Sequence, residues 1–154
     1  MRAPYDVILV GAGLANGLIA LRLRQLQPAL KGLLLESQAQ PAGNHTWSFH
    51  REDVSEAQFR WLEPLLSARW PGYQVRFPTL RRQLDGEYCS IASEDFARHL
   101  QQVLGAALRT AAPVSEVSPT GVRLADGGML QAQAVIDGRG LQPTPHLQLG
   151  YQAF

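Results

Sequence analysis

An α/β fold with a parallel sheet is what the sequence predicts, and three observations lead there. A short apolar run without alternation, at residues 7–10, is followed at once by Gly11-Ala12-Gly13. Residues 14–27 then carry apolar side chains at helical spacing, and a second apolar run follows at residues 33–36. Far along the chain, Ala134-Val135-Ile136 repeats the pattern of an apolar strand that ends in a glycine turn, Asp137-Gly138-Arg139-Gly140.

Each element has its physical reason. Four consecutive apolar residues, Val7 to Val10, suit a strand buried on both faces. Leu14, Leu18, Leu21 and Leu26 lie on one stripe of a helix, with Ala15, Ile19 and Leu23 beside them. Pro28 stops that helix. Strand, helix and strand within about thirty residues is the size of a βαβ unit. Residues 38–44 read as a loop containing Pro41 and Gly43. Residues 52–70 read as broadly helical, interrupted at Pro64, with Trp61 and Trp70 on its core face. Pro71-Gly72 reads as a turn, residues 73–77 as an alternating strand, and residues 87–91 as another.

Ser93 has the chemistry of a helix N-cap, with Glu94 and Asp95 in the first turn where the helix dipole favours acids. That helix is expected to run to about Leu104 and to end at Gly105. Short β segments fill residues 107–137 as a β-meander, with Asp126-Gly127-Gly128 as a hairpin turn. Residues 134–136 read as a buried strand, residues 142–146 as a loop, and residues 150–154 as the opening of a further strand.

Composition narrows the class. The 154 residues are 45% hydrophobic and 18% charged, with a formal net charge of +1. That is a globular composition, with no bulk attraction for nucleic acid. Cys89 is the one cysteine, so no internal disulfide forms, and no Cys/His cluster has metal-ligand spacing. No stretch approaches the ~18 apolar residues of a membrane span, and residues 7–10 are too short for the apolar core of a signal peptide. A cytoplasmic protein is expected, soluble or at most peripheral at the inner face of the membrane. Nothing in the sequence indicates a partner protein. Arg76, Arg81 and Arg82 flank Pro78 as a solvated patch with the chemistry to touch acidic lipid or phosphate.

The chemistry centres on Gly11-Ala12-Gly13-Leu14-Ala15-Asn16-Gly17. Gly11 permits a tight turn after the strand, and Gly13 lets backbone approach a pyrophosphate. The helix N-terminus behind them offers free N–H groups and partial positive charge. Asn16 stands where the fingerprint usually has its third glycine, with Gly17 beside it. Glu36, at the end of the second strand, is placed to accept hydrogen bonds from a ribose 2′-OH. To this point NAD and FAD both fit. The Asp137-Gly138-Arg139-Gly140 return turn favours FAD, because large flavoproteins bring such a turn to the flavin end of the cofactor. A Rossmann-type FAD-binding domain is therefore expected. Past the ribose-binding strand, Gly43-Asn44-His45-Thr46-Trp47-Ser48-Phe49-His50 reads as a loop that walls a flavin or substrate pocket, with His45 and Trp47 near the flavin ring. These residues leave open an FAD-dependent monooxygenase or other oxidoreductase of the same fold, or a non-catalytic remnant.

Several blocks resemble one family, the bacterial lycopene β-cyclases of carotenoid biosynthesis. They are residues 5–18, the Asn-His-Thr-Trp block at 43–50, Trp70-Pro71-Gly72-Tyr73 with the residues up to Pro78, and residues 135–140 and 150–154. Asn16 is what that family has at its position. The resemblance implies closure of both ends of lycopene into β-ionone rings, through γ-carotene to β-carotene. It implies non-covalently bound FAD, held reduced with NAD(P)H as electron source, in a reaction without net redox change. A terminal double bond is protonated, cyclises through a carbocation, and loses a proton. Family members are more than twice as long. The chain is thus expected to be the N-terminal portion of a cyclase, truncated before its substrate domain is complete. Residues 45–100 are expected to begin the substrate-side insertion, and the catalytic acid is expected beyond Phe154.

Overall fold

A computed structural model describes residues 3–140; the expected loop at 142–146 and strand at 150–154 lie outside them. The chain forms two compact units. One comprises Met1–Pro41 with Leu104–Phe154, and the other comprises Ala42–Val103.

The first unit holds a six-stranded sheet. Its strands are β1 (Tyr5–Val10), β2 (Gly32–Leu35), β6 (Leu108–Arg109), β7 (Val114–Ser118), β8 (Gly121–Leu124) and β9 (Met129–Asp137), in the spatial order β6-β2-β1-β9-β8-β7. β1 pairs in parallel with β2 on one side and with β9 on the other. The helix α1 (Leu14–Leu26) makes the crossover between β1 and β2. A strand with parallel neighbours on both edges has both faces covered, which explains the unalternating run at its centre. Ile8, Leu9 and Val10 are fully or nearly fully buried. Ile8, Val10, Leu33 and Leu35 share one core cluster with Val122, Leu124 and Ala132 of the meander. The Asp126-Gly127-Gly128 turn joins β8 to β9 as expected, with Gly127 at φ +89°.

One expectation for this unit fails. Residues 134–136 are strand but not a buried one: Ala134 is exposed and Ile136 is 38% exposed. They end a nine-residue strand whose burial is concentrated at Ala132.

The second unit is a three-stranded antiparallel sheet, β3 (Thr46–His50), β4 (Ala68–Arg76) and β5 (Arg81–Ala92), in the order β3-β5-β4. It also contains α2 (Glu56–Leu62) and nearly all of α3 (Ser93–Leu104). Here the sequence misleads more often. Thr46 to His50 form a strand, not a loop. The helical region opens with a 3₁₀ turn over Arg51–Asp53, and its α-helix begins at a Ser55 cap whose hydroxyl accepts the Gln58 N–H while the Gln58 side chain accepts the Ser55 N–H. It stops at Leu62, followed by a 3₁₀ turn over Glu63–Leu65 that carries Pro64 at its start. Trp70 is therefore a strand residue, 45% exposed, not a helix core residue. Pro71-Gly72 does not turn the chain; it lies within β4, where the register against β5 shifts between Trp70 and Gly72. Proline is tolerated because β4 is an edge strand with an irregularity at that point. Gly72 is required there, since a Cβ would stand 2.7 Å from the Leu84 carbonyl oxygen.

Candidate functional site

The carboxyl ends of β1, β2 and β9 bring most of the sequence-predicted residues to one place. Gly11, Gly13, Leu14, Ala15, Asn16 and Gly17 leave β1 and open α1. Glu36 follows β2, and Asp137, Gly138, Arg139 and Gly140 close β9. Because β1 and β9 run parallel with Val10 opposite Asp137, the two glycine turns emerge side by side.

Their junction is tight. The Asn16 side chain is buried, 3% exposed, and its Nδ2 donates to the carbonyls of Val10 (2.9 Å) and Gly11 (3.0 Å). The Gly138 N–H donates to the same Val10 carbonyl at 2.8 Å. A Cβ on Gly138 would lie 2.5 Å from Asn16 Nδ2. Asn16 thus supplies two hydrogen bonds that a third glycine could not, and it presses directly on the second motif. Gly11, at φ +89°, lies against Arg139: a Cβ would meet the Arg139 backbone and side chain at 3.3 Å.

Gly13 differs from its neighbours. A Cβ there would meet nothing within 4 Å. Its φ of −74° suits any residue, and α1 begins without a side-chain cap or an acid in its first turn. No packing among the described residues demands glycine at this position. Open space in front of an uncapped helix N-terminus is what a close-approaching phosphate requires. The donor set fits a dinucleotide pyrophosphate, so the residues present fit the expected cofactor.

Glu36 faces the loop. Its Oε2 accepts the Ala12 N–H at 2.8 Å, and Oε1 accepts the Gln38 N–H at 2.9 Å and the Ser37 hydroxyl at 3.0 Å. Asp137 accepts two guanidinium hydrogen bonds from Arg139, at 2.9 and 2.8 Å. The Arg139 side chain holds the Asp137 carboxyl below the usual carboxylate range, against an opposing effect of burial. Arg139 also donates to the Val114 carbonyl, which ties the turn to the meander. A hollow of about 380 Å³ lies elsewhere in this unit, toward the start of the strands and lined by Pro4, Leu30, Lys31 and Leu104 among others. It touches none of the predicted site residues.

His45 and Trp47 belong to the second unit. The His45 N–H donates to the Ser93 hydroxyl, and the Ser93 N–H donates back to the His45 carbonyl. Trp47 is half-buried, with its ring edge-on to Phe96 at 5.6 Å and 5.7 Å from the His45 ring. Cys89 is buried, and burial pushes its thiol up, as suits an inert core residue.

Sequence reading missed a cluster of rings on the opposite face of the same small sheet. His50, Tyr88, Tyr73 and Trp70 form a chain of contacts with centroid separations of 5.1 Å (His50–Tyr88), 5.4 Å (His50–Tyr73), 5.9 Å (Tyr73–Tyr88) and 6.1 Å (Trp70–Tyr88). Trp70 and Tyr73 are three residues apart and would fall on opposite faces of a regular strand. The irregularity at Pro71-Gly72 shifts the phase and brings both rings to one side. The available signal was an aromatic residue on each side of Pro-Gly.

The architecture defines a fold class: a Rossmann-type α/β unit and a small antiparallel sheet, a fold shared with proteins described as FAD-containing monooxygenases. A solved protein described as an FAD-containing monooxygenase of Photorhabdus luminescens superposes with a TM-score of 0.58 at 16% identity, over 88% of this chain and 39% of its own. Sequence narrows the class further. The profile of the family described as "Lycopene cyclase protein" matches residues 6–154, and the chain belongs to that family. It is 56% identical over 149 residues to a lycopene beta-cyclase of Pseudescherichia vulneris, covering 97% of this chain and 39% of the relative. It is 53% identical over 154 residues to a lycopene beta-cyclase of Pantoea ananas, covering 100% of this chain and 40% of the relative. The chain thus spans about two-fifths of the length of these relatives.

Proposed function

We propose that this chain is the FAD-binding portion of a lycopene β-cyclase, and that Gly13 marks where the cofactor's pyrophosphate lies. The open space at Gly13, in a loop otherwise fixed on every side, carries this reading. Leu14 and Ala15 present N–H groups to the phosphates, and Glu36 meets the adenosine ribose while bracing Ala12. The Asp137–Gly140 turn lies toward the flavin end. His45 and Trp47 border the flavin ring, and the unit that contains them begins the substrate side.

The proposed reaction cyclises the ends of lycopene by way of γ-carotene to β-carotene, without net redox change. Bound FAD, kept reduced by NAD(P)H, supplies negative charge beside a cation that exists only along the reaction path. Proton donation is assigned to neither site carboxylate. Glu36 is committed as an acceptor of backbone N–H groups, and Arg139 keeps Asp137 ionised.

The test is Gly13→Val in the protein at the full length its gene encodes. The side chain meets open space, so the melting temperature of the flavin-free protein stays within a few degrees of wild type. Flavin affinity falls at least a hundredfold, read by fluorescence titration, and conversion of lycopene is lost with it. Retained flavin in this variant overturns the assignment.

A further inference from the structure

The hairpin that joins β4 to β5 has an unusual tip. Arg76 and Arg81 stand directly opposite each other in the ladder, and Arg82 follows opposite Val75. Like charges directly across a sheet repel. No carboxylate relieves them: among the described residues the Arg76 guanidinium donates only to Gln74, and the side chains of Arg81 and Arg82 make no hydrogen bond or ion pair. Arg76, Arg81 and Arg82, with Gln74, Val75 and Gln83, line an open hollow of about 250 Å³ at the tip, and Arg81 and Arg82 alternate between the two faces of the hairpin.

Beyond the arginines the chain turns through Pro78-Thr79, closed by the Phe77 N–H donating to the Leu80 carbonyl at 2.7 Å. Phe77 and Leu80 flank this turn, 60% and 55% exposed. The order along the hairpin is therefore guanidinium groups first and two large apolar side chains at the extremity.

We infer that this tip docks the protein on an anionic lipid bilayer. Phe77 and Leu80 enter the boundary between headgroups and acyl chains, while Arg76, Arg81 and Arg82 pair with lipid phosphates at headgroup depth. Three arginines make the tip complementary to such a surface in a chain whose formal net charge is only +1. A protein partner or the remainder of a longer chain is the poorer occupant, because covering the apolar pair would also desolvate adjacent unpaired guanidinium groups. A bilayer accepts both at once: apolar tails for the rings, phosphate oxygens for the cations. The inference rests on the proposed function to this extent: a hydrocarbon substrate is dissolved in that bilayer.

Vesicle flotation with the full-length protein tests the surface. The probes are vesicles of phosphatidylcholine alone and of phosphatidylcholine with phosphatidylglycerol. Binding is expected to the mixed vesicles and to weaken with added salt. Arg81→Gln with Arg82→Gln should weaken it about twenty-five-fold, near fivefold for each charge. Phe77→Ser with Leu80→Ser should weaken it at least tenfold while leaving flavin content and melting temperature unchanged. Unaltered vesicle binding in both variants overturns the inference, as does loss of folding in the serine variant, which would place the tip inside the protein. Binding to polyanions such as DNA but not to vesicles also overturns it. Conversion of lycopene supplied in detergent micelles separates this reading from the previous one. The variants should retain conversion in micelles and lose it on vesicles. A protein that binds vesicles through the tip yet never converts lycopene refutes the proposed reaction and leaves the docking surface standing.

Discussion

The two sheets of this molecule hold their sites together in different ways. In the six-stranded sheet, between its parallel strands β1 and β9, two glycine turns far apart in sequence are locked by one buried side chain, Asn16, which bonds the Val10 and Gly11 carbonyls and presses on Gly138. In the antiparallel sheet, neighbouring rings are gathered on one face by a local shift of phase at Pro71-Gly72. The first arrangement depends on a long-range contact that a single atom disrupts. The second depends on backbone geometry within one strand. Substitutions at the two glycines, Gly138 and Gly72, should therefore differ in reach.

The largest effect is expected at Gly138. Gly138→Ala drives a Cβ to 2.5 Å from Asn16 Nδ2, an atom held by two hydrogen bonds and unable to swing aside. A loss of about 2–3 kcal/mol in urea unfolding is expected, together with flavin affinity. In an Asn16→Ala background the same substitution should cost about 1–2 kcal/mol less, the coupling expected of directly touching groups. Additive costs would show that Asn16 is not the clasp.

Gly72→Ala comes next. Its Cβ meets the Leu84 carbonyl at 2.7 Å, so about 1–2 kcal/mol is expected. The effect should stay in the small sheet: near-ultraviolet dichroism from Trp70, Tyr73 and Tyr88 changes, while flavin affinity holds. Flavin loss equal to that of Gly138→Ala would erase the distinction between the two sheets.

The smallest effect is a pH dependence. Arg139 holds the Asp137 carboxyl below its ordinary value in the folded protein. A lowered folded-state pKa means the pair contributes stability above the unfolded carboxylate pKa and loses it as pH falls through the folded one. Wild type should therefore exceed Asp137→Asn in stability by a constant margin at neutral pH. That margin should close below about pH 4. A margin that persists in strong acid would assign the stabilisation to something other than ionised Asp137.

What could be read from sequence follows the same division. β1, α1 and β2 were legible because parallel strands buried on both faces are written as plain apolar runs punctuated by glycine. The turn at Asp137-Gly138 was legible from its glycines after an apolar run, although that run is exposed at Ala134 and Ile136. β3 was hidden because Thr46, Ser48 and His50 make it look like a polar loop. Trp70 was hidden because the sequence after Pro64 carries no sign that the helix has already ended. The phase shift at Pro71-Gly72 was invisible because proline and glycine ordinarily turn a chain, and only the partner strand shows that here they adjust it. The bond from Asn16 to the neighbouring carbonyls depends on a tertiary approach that no local pattern encodes.

The clasp between Asn16 and Gly138 also sets an order of events during synthesis. β1 finds β2 soon after both leave the ribosome, but its other edge waits for β9, which follows the entire Ala42–Val103 unit. Until Gly138 emerges, that edge of β1 is an open template for strand pairing, and the Asn16 amide has only half of its seat. The glycine turn after β1 is made early but gains its neighbour late, so a nascent chain that stalls before residue 138 carries the glycine fingerprint without the contact that fixes its shape.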